Sequence, residues 1–367
     1  MKNILVITPF FYPHIGGSER YIEELYVYFQ KHNPGVNVEV LCYNTDNVKE
    51  KEEYKGLTIH RIPCYKILKD QFYIPKILPL LSFLIKNRNS YDLIHTSTRF
   101  FDSSWWGLLF AKATHSKVIL TDHCAYHPVH KSRIVSFLAK YIDLIISGLF
   151  LPFYDAIFVE NMATKAFLKQ SFNVNSELAY PGIKKVVMVN KKQSKGRIRV
   201  VYVGRLIESK GIKTLCDIVD TSPEVDFLFA GTGPLDTFLK EKKRKDGSKN
   251  IYLLGKLSKD EVNKLLKTAD IFAYPSWHSE GLPLSLLEAG SYGVPVIATN
   301  IGGISEVIEN NETGLLVSPE DKEEFKKAIS KLINDFELRK KLGKNLQKRI
   351  KKEFTWQKAS ELIKKYL

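Results

Sequence analysis

The chain lacks the short signatures of several common catalytic centres. Its nine histidines show no HExxH or comparable metal spacing, and neither a GxSxG nucleophile turn nor a GxxxxGK[ST] phosphate loop is present. The four cysteines (Cys42, Cys64, Cys124 and Cys216) are scattered without a CxxC pair, which argues against a zinc site and a disulfide framework. No export signal is readable either. The first residues form a short apolar run interrupted by Pro9 and Pro13 with no small-residue cleavage site after it. A buried first strand and a cytoplasmic location are the expectation. Apolar runs are also limited. The two longest, 72–85 and 142–153, fall short of the roughly 18–20 residues that cross a bilayer. They read as core segments, or as interfacial patches; the first has Lys69, Lys86 and Arg88 at its ends.

What is present is a soluble-type composition in a chain of 367 residues, long enough for two full cores. Mean hydropathy is −0.17, which excludes a disordered or membrane-embedded class. Net charge is +15, so an anionic neighbour is implied: a nucleotide, a membrane surface or nucleic acid. The excess gathers at 240–249 and in the last fifty residues, where a solvated helix face explains it equally well.

Strand and helix patterns alternate twice along the chain. In the first half, apolar runs at 4–7, 36–42, 58–62, 93–96, 117–121 and 156–159 read as strands. After the first of them Ser18 is placed to cap a helix that aligns Ile22, Leu25, Tyr26 and Phe29. A polar linker at 184–199 follows. The pattern then restarts with strands at 198–203, 225–230, 251–254, 271–274, 294–299 and 315–317. Helices at 320–335, 338–352 and 356–366 close the chain, and a break at 353–356 would let the last return to the first domain. Alternation of this kind predicts parallel sheets covered by helices on both faces, in two α/β domains.

The stretch 274–303, YPSWHSEGLPLSLLEAGSYGVPVIATNIGG, is the part around which the chain is organised. A strand ends, Glu280 follows in a polar turn, and Pro283 suits the first turn of a helix that carries Glu288. The amides of Gly281 and Leu282 then lie at a positive helix end, a ready anion site. Glu288 sits among Leu286, Leu287 and Ala289, a buried setting that demands a partner. Upstream, 203–211 reads VGRLIESKG and sets Gly204, Arg205 and Lys210 in the loop after a strand, where open α/β sheets bind ligands. Arginine clamps phosphate bidentately and lysine adds a mobile charge. The next such loop, Gly231-Thr-Gly233-Pro234, allows close approach again. In the first domain Gly16 and Gly17 sit between a strand and a helix, and His123 follows the strand 117–121.

Together these residues resemble the large retaining glycosyltransferase family four, also described as glycosyl transferases group 1. Gly16-Gly17, VGRL…KG, GTGP and above all the E-x7-E pair Glu280 and Glu288 carry the resemblance, which covers nearly the whole chain. It implies the GT-B architecture: two Rossmann-like, doubly wound parallel-sheet domains facing across a cleft. The expected boundaries are 1–184 for the acceptor-side domain, with 355–367 packing back on it, and 185–354 for the nucleotide-sugar domain. It implies transfer of a hexose from a UDP- or GDP-sugar to a glycan, lipid-linked or polysaccharide acceptor, with retention and without a metal or other cofactor. Arg205 and Lys210 would hold the diphosphate, and Glu280 with the amides of Gly281 and Leu282 would meet the sugar and phosphate. Glu288 would bind the ribose, Gly204, Gly231 and Gly233 would line the donor site, and Gly16, Gly17 and His123 would serve it from the other domain. The spelling near EGLPLSLLEA is similar to enzymes of surface polysaccharide and glycolipid synthesis. That adds an expected peripheral position at the inner membrane face, with an anionic membrane surface as partner.

Three departures from the family pattern are visible. The loop at 181–184 reads Pro-Gly-Ile-Lys, Glu160-Asn161 replaces a usual serine, and Gly290-Ser-Tyr follows Glu288. The first two leave the acceptor open and the donor site intact. Two other classes compete. A sugar-nucleotide epimerase of similar architecture is opposed by the E-x7-E pair. A nucleic-acid-binding protein is opposed by basic runs that lack interleaved aromatics, so no nucleic-acid partner is expected.

Overall fold

A computed structural model describes residues 1–14, 16–67, 72–128, 132–184, 186–187, 196–219, 222–245, 249–278 and 281–367. The chain divides into two compact units, residues 1–182 with 356–367, and residues 183–355.

Unit 1 contains β1 (Lys2–Ile7), α1 (Gly17–His32), β2 (Val36–Tyr43), β3 (Lys51–Tyr54), β4 (Leu57–Ile62), β5 (Cys64–Ile67), β6 (Phe72–Pro75), α2 (Ile77–Lys86), β7 (Leu93–Ser97) and α3 (Asp102–Thr114). It continues through β8 (Lys117–Asp122), α4 (Arg133–Phe150), β9 (Ala156–Val159), α5 (Met162–Phe172) and β10 (Glu177–Leu178). The main sheet runs β10-β9-β8-β7-β1-β2-β4-β3, parallel except for β3, which pairs antiparallel with β4 at the edge. Side chains alternate across it. Ile4 and Val6 pack with α1 on one face, and Leu5 and Ile7 pack with α2 and α3 on the other. Full burial on both faces is why β1 reads as an unbroken apolar run.

Unit 2 contains β11 (Ile198–Val203), α6 (Ile212–Val219), β12 (Val225–Ala230), α7 (Asp236–Lys245), β13 (Ile251–Gly255), α8 (Lys259–Thr268), β14 (Ile271–Tyr274) and α9 (Leu284–Ser291). Next come β15 (Val296–Thr299), α10 (Ile304–Val307), β16 (Leu315–Val317), α11 (Lys322–Asn334) and α12 (Phe336–Glu353). Its sheet is wholly parallel, in the order β13-β12-β11-β14-β15-β16. This is the doubly wound 3-2-1-4-5-6 order, and the reversal of winding lies between β11 and β14. Unit 1 reverses in the same manner between β1 and β7.

The terminal helix α13 (Trp356–Lys364) belongs to unit 1. Trp356, 1% exposed, packs edge-on to Tyr21 at 5.3 Å, and its indole N–H donates to Glu24 at 3.3 Å. Each fully buried apolar side chain of this kind, Phe29 and Ile363 included, stabilises the fold by about 1.5–3 kcal/mol.

Several local expectations change. Gly16, not Ser18, occupies the cap position of α1, with extended backbone and no side-chain bond. Pro283 is likewise the cap of α9 rather than its first helical residue. The strand expected from 294 begins at Val296, because Pro295 has no N–H for the ladder. The sheet edge β3, the hairpin β5–β6 and the short β10 went unread. The linker at 184–199 lies largely outside the described residues, and so does Lys69. The apolar stretches differ most. Residues 72–85 split into β6 and α2 at Pro75, and 142–153 is the second half of a longer helix, α4 with the turn Leu151–Phe153 after it. That 21-residue run is long and apolar enough to cross a membrane by length and composition. Neither stretch is simply core, because Leu78, Ile85, Ile145 and Leu149 are all more than 60% exposed.

Candidate functional site

The reversal point of unit 2 gathers the predicted loops. The turn after β11 begins at Gly204, where an added Cβ would press within 2.7 Å of the Tyr202 hydroxyl, which itself donates to the Arg205 carbonyl at 2.9 Å. The loop after β12 lies directly on it. Leu206 donates its N–H to Thr232 and Leu235 donates back to Leu206, each at 3.0 Å. Gly231 has φ +141°, and a Cβ there would sit 1.8 Å from the Gly204 carbonyl oxygen; at Gly233 it would sit 2.4 Å from that of Leu206. The close approach that these glycines permit is therefore between the two loops.

A single 3₁₀ turn, Glu208–Lys210, follows and ends at left-handed Gly211. A Cβ on Gly211 would meet the Pro275 carbonyl oxygen at 1.9 Å, so this turn seats against the loop leaving β14. Ser276 Oγ and the Trp277 amide both donate to the Ser209 carbonyl at 3.0 Å, and the Trp277 indole donates to Glu208 at 2.9 Å. Lys210 Nζ donates to the Tyr274 hydroxyl at 3.0 Å and lies 5.4 Å from that ring's centre. Arg205 is exposed and has no ion-pair partner among the described residues.

The helix α9 starts beside these loops' strand. The amides of Gly281 and Leu282 meet no acceptor among the described residues, while the Gly281 carbonyl takes the N–H of Gly303 at 3.1 Å. Gly302, with φ +55°, makes that turn possible. Glu288 is 4% exposed, and its carboxylate pairs with Lys259 at the start of α8. Sequence reasoning missed Lys259. The readable signal was the capping box Ser258-x-x-Glu261, which fixes where α8 begins. Glu280 lies outside the described residues.

Unit 1 presents a different chemistry at its own reversal point. The start of α1 has Gly17 with open space around its Cα, whereas a Cβ on Gly16 would strike the Glu19 carboxylate. The chain thus supplies its own anion to this helix end. His123 is buried; its Nε2 is 3.2 Å from Ser97 Oγ, and its Nδ1 is 3.0 Å from Glu160 as a charge contact off the line of a hydrogen bond. Burial opposes the imidazolium, but Glu160, with Asp122 and Glu19 behind it, outweighs this and raises the His123 pKa above its ordinary value. His95, fully buried, is driven the other way by burial, with the neighbouring His123 acting in the same direction, to about 3.

Beneath His123 lies a network that no motif announced. Arg99, just past β7, pairs with Asp122 at the end of β8 and donates to Asp143 of α4 at 3.1 Å, all three nearly inaccessible. It also donates to the Cys124 and Tyr126 carbonyls at 2.9 Å, and its guanidinium lies 4.7 Å from the Phe167 ring. His127 Nδ1 and Ser147 Oγ each reach Asp143 at 2.6 Å. Among the described residues no cluster of histidine, cysteine and carboxylate side chains has a metal-binding arrangement.

Comparison with known proteins decides the family. The profile described as glycosyl transferases group 1 matches residues 186–349, and that described as glycosyltransferase family 4 matches 15–185. The chain belongs to glycosyltransferase family four. An uncharacterised glycosyltransferase of Methanocaldococcus jannaschii is 29% identical over 391 residues, spanning 100% of this chain and 98% of that protein. The GPI3 subunit of phosphatidylinositol N-acetylglucosaminyltransferase from Saccharomyces cerevisiae is 24% identical, over 85% of this chain and 71% of that one. Among solved structures, Anabaena HepE in complex with UDP-glucose superposes with a TM-score of 0.76 at 17% identity, covering 100% and 99% of the two chains. The fold of this family-four glycosyltransferase is GT-B, with two Rossmann-like domains.

Proposed function

We propose that this glycosyltransferase moves a hexose from a UDP- or GDP-sugar, with retention, to a glycan, polysaccharide or lipid-linked acceptor at the cytoplasmic face of a membrane. The observation that carries the donor half is the reversal point of the unit 2 sheet. There the loops after β11 and β14 are locked together, leaving Arg205 exposed, Lys210 beside Tyr274, and two amides at the start of α9 that meet no acceptor among the described residues. A diphosphate suits that set, since a fixed array of cations and N–H dipoles stabilises charge as it develops. In this reading Arg205 and Lys210 take the diphosphate with the amides of Gly281 and Leu282, and Glu288 exchanges part of its Lys259 contact for the ribose hydroxyls. Glu280 meets the sugar, while Gly16, Gly17 and His123 are unit 1's share of the sugar side. The cationic side chains and helix end carry the charge without a metal. The departing phosphate helps deprotonate the acceptor on the same face of the sugar.

The UDP-glucose complex of HepE supports a nucleotide sugar as donor, and the relative that acts on phosphatidylinositol supports a lipid-linked acceptor. Incubation with a panel of UDP- and GDP-sugars, followed by nucleotide release, tests the reading. Glu280→Ala is expected to remove most transfer in a folded protein, and Arg205→Ala to weaken nucleotide binding. Near-normal turnover by both variants refutes the residue roles. Failure to bind any nucleotide sugar, alongside tight salt-sensitive RNA binding, refutes the reaction.

A further inference from the structure

Helix α4 is built inside out. Its buried residues are polar: Asp143 and Ser147, held by Arg99 and His127. Ser136 and Ala139, partly buried, continue that stripe at helical spacing. The opposite face is apolar and bare. Ile134 is 74% exposed, Phe137 60%, Ile145 62% and Leu149 63%, and Phe153 in the following turn is 59% exposed. A soluble protein rarely leaves so continuous an apolar surface unpartnered. Two other helices of unit 1 also carry bare apolar side chains. The C-terminal end of α4 (Phe150) packs into the same cluster as Leu80 and Leu84 of α2 and Leu108 of α3. Those two helices also expose Leu78, Ile85 and Leu109.

We propose that this face is a docking surface for an anionic lipid bilayer, with α4 lying in the plane of the interface. The inference rests on the membrane-face part of the reading above and gives it a surface. Charge selects the occupant. Arg133 and Lys140 on α4, and Lys76, Lys86 and Arg88 around α2, are exposed. The segments 72–90 and 126–154 contain one carboxylate, Asp143, which is buried. A second copy pairing through the same face in a symmetric dimer would bring cation against cation with no acid to pair. Anionic headgroups meet both the cations and the apolar side chains. The polar stripe selects the orientation. Although α4 is long enough to span, crossing would strip Asp143 from Arg99 and His127 and leave buried charges uncompensated. The helix therefore keeps its polar side on the protein and offers only its outer face to the acyl boundary.

Flotation of the full chain with extruded vesicles tests this, using phosphatidylcholine alone and phosphatidylcholine with phosphatidylglycerol at about 7:3. The protein is expected to float with the anionic vesicles and to bind the neutral ones more weakly. The double variant Ile145→Glu/Leu149→Glu should lower partitioning at least about tenfold. Circular dichroism and nucleotide binding by calorimetry should be unchanged, since both side chains are exposed. If that variant misfolds, Ile134→Glu at the other end of the helix makes the same test. Absence of wild-type flotation with either vesicle overturns the proposal, and so does undiminished flotation of the variants. A wild-type dimer by light scattering that the variants convert to monomer, with no lipid binding, assigns the face to a second copy instead. If no nucleotide sugar is used yet flotation behaves as expected, the transfer reading falls and the lipid surface stands.

Discussion

The two sheet-reversal points of this chain share a topology and differ in what fills it. In unit 2 the loops are held by backbone. Gly211, Gly231 and Gly233 let main chains touch, and the cations Arg205 and Lys210 stand at the rim of that frame. In unit 1 the corresponding edge is held by side chains: Arg99 between Asp122 and Asp143, and His123 beside Glu160. A backbone frame fixes amide dipoles without placing ionisable groups in low dielectric. A buried ionic frame depends on every member being present. Unit 2 should therefore lose function first when its charges are cut, and unit 1 should lose its fold first.

The largest expected effect is the breaking of unit 1's frame. Arg99→Met leaves Asp122 and Asp143 buried without their cation, at an expected cost of about 3–5 kcal/mol. Urea unfolding followed by a probe in unit 1 measures it. A loss below about 1 kcal/mol would show that the pair is dispensable, as some buried pairs are when apolar groups replace them.

The contrasting cut in unit 2 is Lys210→Met. Lys210 is half-buried at the loop surface, so the unfolding midpoint should barely move, while turnover falls about 100- to 1000-fold, the usual consequence of removing one group that stabilises developing charge. Steady-state kinetics with the active donor checks it. A raised KM at constant kcat would move Lys210 from charge stabilisation to simple binding.

The same contrast explains what was legible in the sequence. Parallel strands buried on both faces announce themselves as apolar runs, and all twelve strands read from the sequence, the unit 2 edge strands β13 and β16 included, were placed within about two residues, the usual scatter of element ends. Short motifs built on glycine are equally visible, because only glycine permits φ +141° at 231 or a carbonyl within 2.4 Å of a Cβ at 233. Edge elements such as β3 and β5 were not, since KEEY and CYKI are too short and too exposed to show a period. The Arg99 network was invisible for another reason. Arg99 and Asp143 lie 44 residues apart and are joined only by the fold. Lys259 and Glu288, on different helices, escaped in the same way. For α4, apolarity was read without its phase. Asp143 and Ser147 share a face at i, i+4, and that spacing marks which side turns inward.

A third prediction separates the two kinds of glycine. Gly231→Ala forces a side chain into backbone at a φ that L-residues rarely adopt, and should cost about 1–3 kcal/mol while loosening nucleotide binding. Gly17→Ala meets nothing within 4 Å and has no positive φ, so stability should change by less than about 0.5 kcal/mol. If transfer nevertheless falls, the open space at Gly17 serves a ligand. If both variants behave alike in thermal melts and in kinetics, the division between framing glycines and ligand-facing glycines fails.

The smallest expected effect is a slope. His123 has a folded-state pKa above its ordinary value near 6.5, so the folded chain holds this proton more tightly than the unfolded one. The resulting stabilisation is complete below about pH 6.5 and is lost as pH rises through the raised value. Glu160→Gln removes the largest cause of that rise and leaves burial, which acts in the opposite direction. The His123 resonance should then titrate at lower pH, and the decline of unfolding midpoints as pH rises above about 6.5 should flatten relative to wild type. Proton NMR titration with urea melts at three pH values measures both. If the resonance moves but the slope persists, the stability change belongs to other groups that titrate in this range. If neither moves, Asp122 and Glu19, which press on the same imidazole, hold the proton without Glu160.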